Sequence, residues 1–265
     1  MFDRLKDILD PPLTKHRIFF FHIAKCGGTS IGQAIESAYK PWRNDGSRTV
    51  FRLDEDAARF AEEHARGTGT DVRRDLLNYA LSLPTARCAI GHFHFSTPAF
   101  ERYAETWRFV TVLRNPVERW LSHYSYNRDV SSRFGIKASP EEFVETEAAA
   151  AFGRAFIDEV TGDIEKGGLS LGKLTEIALA RYDRFALVGC IEDTAGFARR
   201  FHEFFGHHLD IKRLNITQPT KRVTAEALGT DLLKRIERLC EPDLHVYERL
   251  LGKRGAGATT VRRLG

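Results

Sequence analysis

Ile18-Phe19-Phe20-Phe21-His22-Ile23-Ala24-Lys25-Cys26-Gly27-Gly28-Thr29-Ser30 is the stretch that decides how this chain folds. Ile18–Ile23 is apolar without alternation except near its end, the pattern of a strand buried on both faces. Downstream, Ile31, Ala34, Ile35 and Ala38 fall on one face of a helix that stops before Pro41. A buried strand therefore enters a glycine turn, and the turn opens a helix. Backbone N–H groups and a helix N-terminus then converge on one point, which suits an anion. The plainer reading is an ordinary glycine turn with a solvent-facing lysine, but strand, glycines, hydroxyls and helix together favour the cradle. Lys25 precedes the glycines, whereas a nucleoside triphosphatase loop reads G-x-x-x-x-G-K-[ST]. The order argues against a loop for the β,γ end of ATP.

Working outward, Thr49–Leu53, Arg87–Gly91, Phe109–Leu113 and Phe185–Val188 read as further strands. Helical patterns cover Asp54–Arg66, Asp71–Leu83, Pro140–Phe156, Leu171–Tyr182 and Thr194–Phe205. Thr224–Leu251 reads as two helices joined near Glu241-Pro242. Strands alternating with helices predict an α/β fold: a P-loop-like three-layer arrangement with a central parallel sheet flanked by helices. Ligands of such sheets bind beyond the carboxyl ends of the strands. The Lys25 loop, His92 and Arg114 all fall at such ends.

The Phe109–Leu113 strand ends at Arg114, and Asn115-Pro116 then starts a helix as N-cap and first helical residue. Arg114 carries a guanidinium suited to a phosphate. Ser122 lies seven residues beyond Asn115, nearly two turns, so it returns to the same helix face and shares an anion with Arg114. The plainer reading is a surface pairing of Arg114 and Arg119 with Glu118. Gly91-His92-Phe93-His94-Phe95 follows the Arg87–Gly91 strand, and continued extension turns His92 and His94 the same way. The plainer reading there is a pair of satisfied histidines.

With these residues in place, His22–Ser30 resembles the 5′-phosphosulfate loop of sulfotransferases that use 3′-phosphoadenosine 5′-phosphosulfate (PAPS). Arg114-Asn115-Pro116-x-x-Arg119-x-x-Ser122-x-Tyr124 resembles their 3′-phosphate site. More narrowly, the pair is similar to the carbohydrate branch related to heparan sulfate 2-O-sulfotransferases, whose loop usually reads H-x-P-K-T-[GA]-G-T-[ST]. Glu241-Pro242-Asp243-Leu244-x-x-Tyr247-Glu248 adds a weaker third similarity, and little resemblance lies between the motifs. Ala24 stands where that loop has proline and Cys26 where it has threonine. The resemblance implies that Lys25, Cys26, Gly27, Gly28, Thr29 and Ser30 hold the phosphosulfate, and that Arg114 and Ser122 hold the 3′-phosphate. It implies His92 as the catalytic base, with Lys25 stabilising the leaving oxygen, and leaves His94 to position the acceptor. The implied co-substrate is PAPS, with no metal, and the implied partner is a hydroxyl-bearing acceptor, a carbohydrate or glycolipid. Cys26, at a helix N-terminus, is expected to have a lowered pKa.

The 265 residues are 42% hydrophobic and 29% charged, enough for one sizeable core, and no Pro/Ser-rich linker divides them. One domain over 1–252 is expected, followed by a basic flexible tail over 253–265. A net charge of +4 fits an anionic ligand but is too small to indicate nucleic acid. Cys26, Cys88, Cys190 and Cys240 are widely spaced without a C-x-x-C, as in a reduced cytoplasmic protein. Met1–Lys15 mixes Asp, Arg and Lys with Pro11-Pro12, unlike a signal peptide, and no window reaches membrane-spanning length. Two other functions fit parts of the pattern: a P-loop kinase for a small metabolite, and a non-catalytic binder of phosphoadenosine nucleotides. The first requires magnesium and lacks a strand-end Asp; the second gives no reason for Lys25 and His92 together.

Overall fold

The apolar run forms β1 (Arg17–Phe21), and the glycine turn leads into α1 (Gly28–Tyr39). The computed structural model describes residues 15–39, 50–65, 69–129, 135–164, 167–212, 222–252 and 260–261. After α1 come β2 (Val50–Arg52), α2 (Glu55–His64), α3 (Gly69–Ser82), β3 (Cys88–Gly91) and α4 (Thr97–Tyr103). Then follow β4 (Trp107–Leu113), α5 (Pro116–Asp129), α6 (Pro140–Phe143), α7 (Glu147–Gly153), α8 (Ala155–Thr161) and α9 (Leu171–Tyr182). The chain continues through β5 (Leu187–Cys190), a 3-10 turn at Ile191–Asp193, α10 (Thr194–Phe205), α11 (Thr230–Leu251) and β6 (Thr260–Val261).

The sheet runs β2-β3-β1-β4-β5-β6. Its first five strands are parallel, and β6 adds two antiparallel residues against β5. The rest of the 253–265 tail lies outside the described residues. β1 is central, with Phe20 paired to Ile90 on one side and Val110 on the other. Alternate strand residues divide between two cores, because successive side chains leave a strand on opposite faces. Phe19, Phe21, Phe109 and Val188 pack with Leu77 of α3, Ile157 of α8, Leu174 of α9 and Val246 of α11. Ile18, Phe20, Val110 and Leu187 pack with Ile31 of α1 and Phe197 of α10. The expected three-layer α/β fold is the one observed.

Three element expectations are corrected. The 140–156 stretch is not one helix. The Ser139 capping box starts α6, and the Thr146 hydroxyl accepts from Ala149 N to start α7, so local side-chain caps divide it. β5 includes Gly189 instead of ending before it. A Cβ there would strike the Phe197 ring, so glycine lets α10 close onto the strand. α11 runs unbroken through Pro242. Leu232, Ile236, Cys240, Asp243, Val246, Tyr247 and Leu250 are all buried along one stripe of it. That burial exceeds the roughly 3 kcal/mol cost of an internal proline.

Because β4 follows β3 across β1, the carboxyl ends of β3, β1 and β4 lie side by side. That is where ligands settle in open α/β sheets. Among the described residues, no helix is long and apolar enough to cross a membrane.

Candidate functional site

The turn after β1 is held in a shape few sequences allow. Lys25 has φ 68° and Gly27 φ 73°, both left-handed. A Cβ on Gly27 would collide with Ile191 beyond β5, and one on Gly28 with the His22 ring. Both glycines are therefore required by close approach as well as by backbone freedom. α1 begins at Gly28 with no acidic side chain in its first turn, so its N-terminal partial charge is left for an anion. Thr29 and Ser30 are half-buried at that opening.

Cys26 departs from expectation. Its thiol is buried and pushed up to about 12, because desolvation outweighs the opposing pull of Arg119 and Arg114. It is an inert core group, and its N–H contacts Ile23 O at 3.4 Å within the turn.

Cations gather beside this turn. Arg114, at the end of β4, places Nη1 3.5 Å from the Lys25 carbonyl and donates from Nη2 to Glu118 at 3.2 Å. Arg222 reaches the same Glu118 carboxylate at 2.6 Å, while its Nε is buried without a partner among the described residues. Two arginines thus share one carboxylate, with the Lys25 ammonium a third cation beside them. Burial lowers the Lys25 ammonium to about 8, with Arg114 and Arg222 adding repulsion. Burial and then Arg222 likewise lower Arg114. The Lys25 ammonium rests 3.8 Å from the centre of the Tyr126 ring. Asn115 caps α5 as expected, its Oδ1 accepting from Val117 and Glu118 N–H groups at 3.1 and 3.3 Å. Ser122 is half-buried, one turn before Tyr126 on the same helix.

At the end of β3, His92 stacks on His22 with ring centres 4.0 Å apart and planes 27° from parallel. His92 Nδ1 lies 2.9 Å from the His22 carbonyl. A carbonyl only accepts, so Nδ1 carries the proton and Nε2 keeps its lone pair. Burial lowers both imidazoles; Arg73 and Lys25 add to the effect at His92, while Glu55 opposes it. His94 is lowered to about 4 by burial and Arg73. It faces the same half-buried side as His92, whereas Phe93 and Phe95 point into the core.

Residues outside the motifs complete the site. Arg73 of α3 donates to the His92 carbonyl at 2.7 Å and is clamped by Glu55 and Glu62 of α2. The α2–α3 excursion thereby fixes the strand end. His123 is stacked on Phe152 with its Nδ1 buried and unpartnered. Burial lowers it to about 3, with Arg119, Lys25 and His92 adding repulsion. Glu159 of α8 is pushed up to about 7 by burial against the pull of Arg119 and Arg73. No motif or spacing in the sequence pointed to Arg73 or Arg222. They lie 19 and 104 residues from their partners at His92 and Glu118.

Most aromatic residues near the motifs are core residues. Phe93, Phe95, Trp120 and Tyr124 are at most 2% exposed, while Tyr126 is 40% exposed. The C-terminal motif serves the scaffold and the site rim. Asp243 is fully buried and caps α8 through Phe156 N and Ile157 N at 2.8 and 3.3 Å. The Tyr247 hydroxyl bonds Glu192, which also accepts from Asn115 N. No family model matches the chain, and no curated protein matches it.

Proposed function

We propose that the chain is a sulfotransferase, moving a sulfuryl group from PAPS to a hydroxyl on a carbohydrate or glycolipid acceptor. The observation that carries the reading is the convergence of Lys25, Arg114 and Arg222 beside the glycine turn, next to a histidine whose Nδ1 faces a carbonyl, leaving the lone pair on Nε2. The cluster holds more positive charge than Glu118 offsets, and Arg222 Nε is a donor unmet among the described residues. A ligand with two anionic groups relieves both.

On this reading the α1 N-terminus, Gly27, Gly28, Thr29 and Ser30 receive the 5′-phosphosulfate. Arg114, Ser122 and Arg222 receive the 3′-phosphate. The acceptor oxygen attacks sulfur in line, forming the new S–O bond as the bond from sulfur to the bridging phosphate oxygen breaks. The acceptor proton passes to His92 Nε2, and Lys25 meets the charge arising on the bridging oxygen. The products are a sulfate ester, 3′,5′-adenosine diphosphate and a proton. His92 is suited to this because its Nδ1 bond to His22 fixes the tautomer and burial keeps the ring neutral. Orientation and a preset field supply the rate without a metal. His94 and Tyr126 border the acceptor side. The four cysteines are buried and joined by no disulfide, in keeping with a reducing cytoplasm.

The test is transfer from labelled PAPS to panels of glycans, glycolipids and phenols. Labelled sulfate ester is expected on at least one hydroxylated acceptor. Phosphorylation from ATP with magnesium, and no sulfate transfer, replaces this reading with the kinase.

A further inference from the structure

Every arginine around the turn has an oxygen partner, but the Lys25 ammonium does not meet a carboxylate among the described residues. It rests instead on an aromatic face: Nζ lies 3.8 Å from the Tyr126 ring centre. The lysine backbone is pinned as well, at φ 68° and through the Arg114 contact to its carbonyl. The side chain is therefore aimed by two constraints, one at each end.

A ring and a carboxylate hold an ammonium differently. A carboxylate neutralises it and must be displaced by an incoming anion, losing a charge-assisted bond. A π face attracts it through the ring quadrupole and leaves its charge unneutralised. Glu118, the acid that Arg114 engages beside the turn, is occupied by Arg114 and Arg222. Tyr126 is partly exposed and follows Ser122 by one turn of α5.

We propose that Tyr126 is a positioning residue for Lys25, a π platform that parks the ammonium beside the glycine turn in a charged, uncompensated state, ready for the bridging oxygen of a phosphosulfate. This rests on the reading of Lys25 as the group that meets the leaving oxygen. The parking contact itself does not depend on that reading, so the two are testable separately.

The ligand-free test is NMR of the full chain with its lysines reductively methylated using labelled formaldehyde. Lys25 is assigned by the signal missing in Lys25→Met. Its methyl resonance is expected upfield through the ring current of Tyr126, retained in Tyr126→Phe and lost in Tyr126→Leu. An unshifted Lys25 resonance in the parent overturns the parking contact whatever the chain catalyses.

The functional test uses phenylalanine and its mono-, di- and trifluorinated analogues at position 126. Fluorine drains the ring face with little change of shape. Stepwise loss of kcat with KM for PAPS nearly constant supports the proposal, with Tyr126→Leu roughly 3- to 30-fold slower and Tyr126→Phe near parent. A flat series, or Tyr126→Phe as slow as Tyr126→Leu, overturns it. Absence of any sulfate transfer by the parent, with the NMR shift present, removes the sulfotransferase reading and the phosphosulfate role while leaving the π contact standing.

Discussion

Replacing Lys25 with glycine is expected to make the protein more stable at neutral pH. Lysine at φ 68° is strained by about 1 kcal/mol relative to glycine. Glycine returns about 0.4–1 kcal/mol of that through its freer unfolded chain, so the backbone terms nearly cancel. Electrostatics decide the sign. The ammonium is lowered from 10.5 to about 8, mainly by burial and then by Arg114 and Arg222. That fall corresponds to about 3 kcal/mol against the charged folded state. Lys25 is partly open to water, and halving for screening leaves about 1.5 kcal/mol. Losing the Tyr126 contact subtracts about 0.5 kcal/mol. The expected gain for Lys25→Gly is about 1 kcal/mol at pH 7. Because the folded value lies below the unfolded one, the penalty is full below pH about 8. It fades as the pH rises toward 10.5, where the lysine is neutral in both states. Urea denaturation of parent and variant near pH 7 and pH 10 reads this directly. The advantage is expected to shrink at the higher pH. A variant less stable at pH 7, or an advantage equal at both, refutes the reasoning.

Other substitutions separate the roles within the site. His92→Ala is expected to abolish transfer while leaving affinity for 3′,5′-adenosine diphosphate within a few-fold. In the parent, the acid limb of kcat is expected to have its midpoint below 6.5, since burial favours the neutral imidazole. Turnover surviving His92→Ala but lost in His94→Ala moves the base to His94. Arg222→Ala and Arg114→Ala are each expected to weaken that nucleotide by roughly 1.5–3 kcal/mol, measured by calorimetry. Gly28→Ala is expected to displace the His22 ring and destabilise the fold by about 1–3 kcal/mol in a thermal melt, with loss of nucleotide affinity.

Local chemistry was readable in the sequence, and long-range chemistry was not. The unbroken apolar run of β1, the Asn115-Pro116 start of α5 and the Thr194–Phe205 helix are set by neighbours a few residues away. Their type and place could be read from spacing and caps, although β1 ends at Phe21, two residues before the expected Ile23. Pro242 misled because a local breaker is overruled by a buried stripe along the whole of α11. Cys26 misled because a helix N-terminus suggests a reactive thiol, whereas complete burial decides its protonation. Lys25, Arg114 and His92 were visible at strand ends. Their partners were not: His22 stacks across from β1, Arg73 arrives from the α2–α3 excursion, and Arg222 from the segment before α11. Those contacts depend on the sheet order β3-β1-β4, which no local pattern specifies.

The central claim is that the turn takes a phosphosulfate nucleotide instead of a triphosphate. Calorimetry of the full chain with 3′,5′-adenosine diphosphate and with ATP, each with and without magnesium, tests it most directly. The account predicts magnesium-independent binding of 3′,5′-adenosine diphosphate that is lost in Arg114→Ala, and much weaker binding of ATP. Tight binding of ATP with none of 3′,5′-adenosine diphosphate would contradict it.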